Sequence, residues 1–194
     1  MYDIILASGS PRRQEILKNI GLSFRVKKSD ADESMEDGIA PSLSAMKLSL
    51  LKATDVAKNE GSDSLVIGAD TIVVSPDGEI LGKPKNEDDA KKMLKMLSGK
   101  KHSVITGVSV MRTFDAKATS FFVSTDVYFK ELTETEIMWY LATKEPFDKA
   151  GAYGIQGLGA ILIEKIEGDY FNVVGLPVSK LVDVLREEFD FKLI

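Results

Sequence analysis

The chain has 194 residues, 44% of them hydrophobic, with one histidine, no cysteine and a formal net charge of -5. That length can bury a core without a staple, the acidic balance argues against a general nucleic-acid partner, and the missing cysteines remove disulfides, thiolate catalysis and cysteine zinc sites. MYDIILASGS is too short an apolar run for a signal peptide and no stretch approaches about 18 apolar residues, so one cytoplasmic domain over residues 1–194, without a membrane partner, is expected.

Residues 4–7 read as a strand, Ser8-Gly9-Ser10 as a turn, and the following residues as a helix: Ser10 suits the N-cap, Pro11 the first position, and Gly21 ends a face of Ile16, Leu17 and Ile20. Arg12 and Arg13 are unexpected there. The first helical turn already exposes N–H groups and the positive end of the macrodipole, so each cation should cost roughly 0.3 to 1 kcal/mol unless an anion sits nearby. Two readings stand at this point: a phosphate cradle, or two solvated arginines whose stems lie on the first helix.

Residues 23–28 suit a second strand, followed by the acidic segment SDADESMEDG, in which Glu33 taken alone is an ordinary solvated acid. Over 41–58 the spacing predicts a helix with Ala45, Leu48, Lys52 and Val56 on one face. Lys52 interrupts that apolar stripe and must snorkel or meet an anion. SLVIGADTIVV, residues 64–74, is a buried-type strand broken by Asp70, a costly charge unless it finds a cation, a metal or turn amides. Gly68 beside it allows another group to approach closely.

Asp77-Gly78 predicts a hairpin into EILGKP, where Lys83 lies between a glycine and a proline and its backbone is restricted. A helix from the Asn86 cap through Glu87, Asp88 and Asp89 to Leu97 follows, with Gly99 just beyond. Residues 102–111 and 121–129 read as strands around a turn near Asp115, and His102 as a structural group. Thr133 and Glu136 form a capping box, with Leu132 and Ile137 as a staple, for a helix that stops before Pro146.

Glycines 151, 154, 157 and 159 match neither a dinucleotide fingerprint nor a Walker A loop. Asp148 and Lys149 either face a ligand or pair on the surface, and Tyr153 and Gln156 are placed to contact a base. A strand, a hairpin and a helix from Pro177 complete a mixed α/β pattern. Taken together, the cations Arg12, Arg13, Lys52, Lys83 and Lys149 and the acids Glu33, Asp70 and Asp148, without a nucleophile, suit metal-assisted hydrolysis of a phosphate anhydride. A phosphate-binding sensor would use nearly the same set.

LASGSPRR (6–13), DES (32–34), GADTIVV (68–74), ILGKP (80–84), LSGKKHSVITGV (97–108), EPFDKAGAYGIQG (145–157) and GDYFNVVGLP (168–177) occur in the order in which the Maf family of nucleoside triphosphate pyrophosphatases carries them, and the chain resembles that family nearly end to end. The resemblance implies cleavage between the α- and β-phosphates with Mg²⁺ or Mn²⁺. It also implies an elongated mixed α/β sheet with flanking helices, similar to inosine triphosphate pyrophosphatases, with a cleft between two lobes, and a homodimer. Carried onto this chain, Asp70 is the catalytic acid, Ser8, Ser10, Arg12 and Arg13 grip phosphate, and Glu33, Lys52, Lys83, Asp148 and Lys149 line the cleft, with Glu33, Asp70 and Asp148 as metal ligands. Arg12, Thr71 and Gln156 mark substrate preference, and GAYGIQG resembles the branch acting on dTTP and UTP. Alternatives are hydrolysis of 7-methyl-GTP and nucleotide binding in cell division without catalysis. Phe147, where relatives often carry another apolar residue, leaves the motif intact.

Overall fold

A computed structural model describes residues 2–34, 38–61 and 63–193; residues 35–37 of the acidic segment lie outside the described residues. Seven strands form one mixed sheet: β1 (Asp3–Leu6), β2 (Arg25–Val26), β3 (Ser64–Val74), β4 (Ile80–Leu81), β5 (Lys101–Arg112), β6 (Ala118–Phe129) and β7 (Ile163–Glu167). Their order is β2-β1-β3-β5-β6-β7, with β4 added to β3. β1 runs parallel to both neighbours, Ile5 facing Arg25 on one side and Val66 on the other. Both β4 on β3 and β7 on β6 are antiparallel. The continuous aliphatic runs of β1 and β3 suit strands covered on both faces, and Ile4, Ile5, Leu6, Leu65, Val66 and Ile67 are all buried.

Among the described residues, six α-helices flank the sheet: α1 (Pro11–Asn19), α2 (Pro41–Ala57), α3 (Glu87–Leu97), α4 (Glu134–Ala142), α5 (Tyr170–Val174) and α6 (Val178–Phe189). Several ends form as their residues require. Asn86 Oδ1 accepts a hydrogen bond from Asp89 N at 2.9 Å to open α3, and the Thr133–Glu136 capping box opens α4. α1 closes with Gly21 at φ +76°, while Leu22 N donates to Leu17 O at 3.1 Å and Gly21 N to Lys18 O at 2.9 Å, a Schellman ending.

Three sequence expectations are corrected. Ser10 takes the extended N-cap conformation of α1, but its side chain makes no cap hydrogen bond. β2 spans two residues rather than six, pinned through Arg25 to Asp3 and Glu60. After β7 the chain forms α5 instead of a hairpin, because Asp169 Oδ1 accepts Phe171 N at 2.8 Å and the amide of buried Asn172 donates to Val104 O at 2.9 Å and Thr125 Oγ1 at 3.0 Å.

The chain divides into two compact units, Met1–Asp70 with Thr106–Val123 and Gly175–Ile194, and Thr71–Ile105 with Ser124–Val174. In the first, Ile5 and Ala7 beside β3's Val66 pack with Ala53 and Val56 of α2. α2 lies unusually close to the sheet. A Cβ added to Gly68 would sit 2.1 Å from Ser49 O, and one added to Gly107 would sit 2.3 Å from Ala45 O. The second unit is built on Leu94, Leu97, Val127, Ile137 and Tyr140, with His102, Phe129 and Tyr153 meeting edge to face at centroid separations of 4.7 to 5.3 Å. Among the described residues, no helix is long and apolar enough to cross a membrane.

Candidate active site

Alternation along β3 puts Asp70 on the same face as Gly68, two residues earlier. Because Gly68 lets α2 come close, Lys52 reaches that face: its Nζ donates to Asp70 Oδ1 at 2.7 Å and pairs with Glu33 Oε2 at 2.9 Å. Lys52 and Asp70 keep only 10% and 14% of their side-chain surface, against 55% for Glu33. Lys52 therefore meets anions instead of snorkelling, and Asp70 meets a cation instead of turn amides. A buried pair of this kind carries a desolvation cost, and only loss of both anions would leave the Lys52 ammonium uncompensated.

The loop that delivers Glu33 is held by the same helix. Asp55, three residues beyond Lys52 on α2, accepts from Ser29 Oγ at 2.8 Å and from Asp30 N at 3.0 Å. Those hydrogen bonds hold its carboxyl below the usual aspartate range. Farther along, Asp32 Oδ1 accepts from Ser34 N at 3.1 Å, closing a turn around Glu33.

Arg13 turns inward from the start of α1. Its Nε donates to Gly175 O at 2.8 Å and its Nη1 to Ser8 Oγ at 3.0 Å, while Ser8 Oγ also accepts Ser10 N at 3.3 Å. The carbonyl and hydroxyl offset part of the cost of placing a cation there. Burial lowers the Arg13 pKa, Asp70 and Glu33 act in the opposite sense, and Arg12 adds to the lowering. Arg12, Arg13, Glu33 and Asp70 thus share one electrostatic neighbourhood.

The second unit holds Thr71, Lys83, Asp148, Lys149, Tyr153 and Gln156. Thr71 is half-buried in β3 and Lys83 is exposed. Lys149 Nζ donates to Asp148 Oδ1 at 2.6 Å and to Glu145 O at 2.7 Å, so the acid and the base pair with each other. Tyr153 differs from its expected placement: it is buried in the core, its hydroxyl 2.7 Å from His102 Nε2, rather than presented to a base. Burial pushes His102 down to about 4. Gln156 is half-buried and its side chain does not cap the 3-10 turn Gly157–Leu162 that it precedes. Glu145 accepts from Tyr140 Oη at 3.0 Å, Leu158 N at 3.1 Å and Gly159 N at 3.2 Å.

A sequence profile of Maf-like proteins matches residues 3–188. The chain belongs to the Maf family. It is 53% identical over 191 residues to the dTTP/UTP pyrophosphatase of Thermoanaerobacter sp. (strain X514), covering 98% of this chain and 99% of that one. Similar proteins of the same name occur in Clostridioides difficile (strain 630), 51% identical over 98% of this chain and 97% of that one, and in Alkaliphilus metalliredigens (strain QYMF), 50% identical over the full length of both. Among solved structures, the Staphylococcus aureus Ham1 protein aligns with a TM-score of 0.49 at 18% identity, covering 83% of this chain and 79% of that one.

In this Maf chain, the donor chemistry for a hard divalent cation is supplied by Glu33 and Asp70, two carboxylates converging on one ammonium. Mg²⁺ is commonly held by one or two carboxylates together with substrate phosphates and water, which this pair fits. Among the described residues, no group of three or more acidic or histidine side chains is arranged to hold a metal; Asp148, the third expected ligand, is engaged by Lys149. Two acids that fasten the segments next to Glu33 and Gln156 are not legible in the sequence, Asp55 and Glu145. Asp55 had one usable signal, its place one turn past the anomalous Lys52. Glu145 had none, since an acid before a proline reads as a solvated loop residue.

Proposed function

We propose that this chain is a metal-dependent nucleoside triphosphate pyrophosphatase that hydrolyses dTTP and UTP to the monophosphate and pyrophosphate. What carries this reading is the Lys52 ammonium shared by Asp70 and Glu33 beside Arg12 and Arg13, supported by the names of relatives about half identical over nearly the whole chain. Arg12 and Lys52 orient the phosphate oxygens, and Arg13, braced by Gly175 and Ser8, keeps the phosphate turn in place. Asp70 takes a proton from the attacking water; the new water oxygen–α-phosphorus bond forms as the bond from that phosphorus to the bridging oxygen breaks, and pyrophosphate leaves with the electron pair. Glu33 and Asp70 would hold Mg²⁺ or Mn²⁺, which would supply charge neutralisation at the phosphate oxygens. In this reading the Gln156 amide reads the O4 and N3–H edge shared by uracil and thymine.

The same reading makes the protein a cytoplasmic homodimer, for which light scattering in solution is the check. Pyrophosphate release from dTTP, UTP, CTP, GTP and 7-methyl-GTP, each with Mg²⁺, Mn²⁺ or chelator, tests the chemistry. Release from dTTP and UTP that requires metal is expected. Release from 7-methyl-GTP alone would overturn the substrate, and nucleotide binding without release would leave a regulator.

A further inference from the structure

Gln156 lies within a loop, residues 154–159, that is fastened at both ends to one pair of side chains. At its start, Gly154 N donates to Tyr140 Oη at 3.2 Å; at its end, Leu158 N and Gly159 N donate to Glu145 Oε2 and Oε1 at 3.1 and 3.2 Å. Tyr140 Oη in turn donates to Glu145 Oε1 at 3.0 Å, which closes the clasp. Tyr140 is fully buried on α4, and Glu145 N donates to Thr143 Oγ1 at 3.1 Å, so the clasp is anchored to a helix end rather than to another loop.

The loop has no slack for a different path. Gly157 sits at φ +73°, with the position of a Cβ 3.0 Å from Glu145 Oε2, and a Cβ on Gly159 would lie 2.2 Å from Gly154 O. Ala152, just before the loop, is held at φ +58°, a conformation that persists in a non-glycine residue only where its surroundings enforce it. Two successive backbone N–H groups aimed at one carboxylate form an anion nest, and here the nest is filled from within by Glu145.

We propose that Glu145 is the positioning residue for base discrimination: by clasping Gly154, through Tyr140, and Leu158 and Gly159 directly, it fixes the height and direction from which the Gln156 amide reads a pyrimidine edge. The inference rests on the proposed dTTP/UTP reading and names the device that makes it selective. Amide recognition of one base edge over another depends on placement, since a shifted amide still meets a donor or an acceptor on the wrong base.

The test is steady-state kcat/KM for UTP and CTP in wild type, Glu145→Ala, Glu145→Gln and Tyr140→Phe, with circular dichroism to show folding. Glu145→Ala is expected to lower the UTP-to-CTP ratio by at least about tenfold, Glu145→Gln, which keeps one acceptor oxygen, to fall between, and Tyr140→Phe to shift the ratio the same way while the chain stays folded. A loss of stability alone would depress both substrates together and leave the ratio unchanged, and that result overturns the proposal. Failure of Glu145→Ala to fold moves the decision to Glu145→Gln and Tyr140→Phe, where an unchanged ratio is equally decisive against it. A wild-type chain without preference for UTP over CTP would overturn the underlying substrate reading and this inference with it; a wild-type preference that all three variants retain overturns this inference alone.

Discussion

Two carboxylates in this molecule are satisfied in opposite ways. Asp70, in the first unit, meets the Lys52 ammonium that Glu33 shares; Glu145, in the second, meets two backbone amides and a buried phenol. A lysine head on a four-carbon stem carries three rotatable donors and can turn from one anion to another, which suits the proposed phosphate site. Backbone amides cannot leave, which suits a place that must hold a shape. In the proposed reaction, the same carboxylate chemistry would serve turnover in one region and rigidity in the other.

The comparison breaks most visibly at Asp70. Asp70→Asn keeps an acceptor for Lys52 and removes the proton acceptor, so pyrophosphate release should fall by at least about 100-fold while the thermal midpoint stays near that of wild type; unchanged release would take Asp70 out of the mechanism. The second region should also answer to pH, through its stability. His102 binds a proton in the unfolded chain below about 6.5, but in the fold only below about 4, because burial disfavours the imidazolium. Between those values the unfolded state holds more protons, so stability falls as pH falls, by about 3 kcal/mol relative to a non-titrating His102→Gln chain. Chemical denaturation of both chains at pH 7 and pH 4 measures it, and parallel losses would show that His102 does not carry the effect.

Gly68→Ala sharpens the first region from the backbone side. Its Cβ would overlap the Ser49 carbonyl, so about 1 to 3 kcal/mol of stability should be lost, together with activity as Lys52 is drawn from Asp70; a fully active, equally stable variant would contradict the packing described. The smallest effect is expected at Asp55. Asp55→Ala frees the segment beginning at Ser29 and Asp30, and a loss of roughly threefold to tenfold in kcat/KM that Asp55→Asn largely restores would mark it as the support for Glu33.

How much of this was legible depended on whether a residue's partner lay close in sequence. Asn86 with Asp89 and Thr133 with Glu136 satisfy backbone groups three residues away, and both helices begin where the sequence places them. Lys52 and Asp70 were legible as anomalies, a charge in an apolar stripe and another in an apolar strand, although their pairing needed the structure. Ser10 and Asp169 mislead because whether a short polar side chain bonds to a nearby backbone group is decided by the fold around it. That choice follows from the fold, so Ser10 leaves α1 uncapped by its side chain while Asp169 starts a helix where a hairpin was expected. Asp55 and Glu145 act on distant loops, and no local pattern reports such contacts.

Gly68 and Gly107 place a demand on the sequence that no side chain can meet by repacking. Each faces a backbone carbonyl of α2 at a distance where even a methyl group has no room, and a carbonyl within a helix has no rotamer to turn away. Gly9, in the turn between Ser8 and Ser10, would bring a methyl no closer than 3.7 Å to the Lys28 stem. A library randomised at positions 9, 68 and 107 and selected for activity should therefore return several residues at 9 and almost only glycine at the other two, so that the tightest constraint falls away from the Ser8–Ser10 turn, on two positions without a side chain.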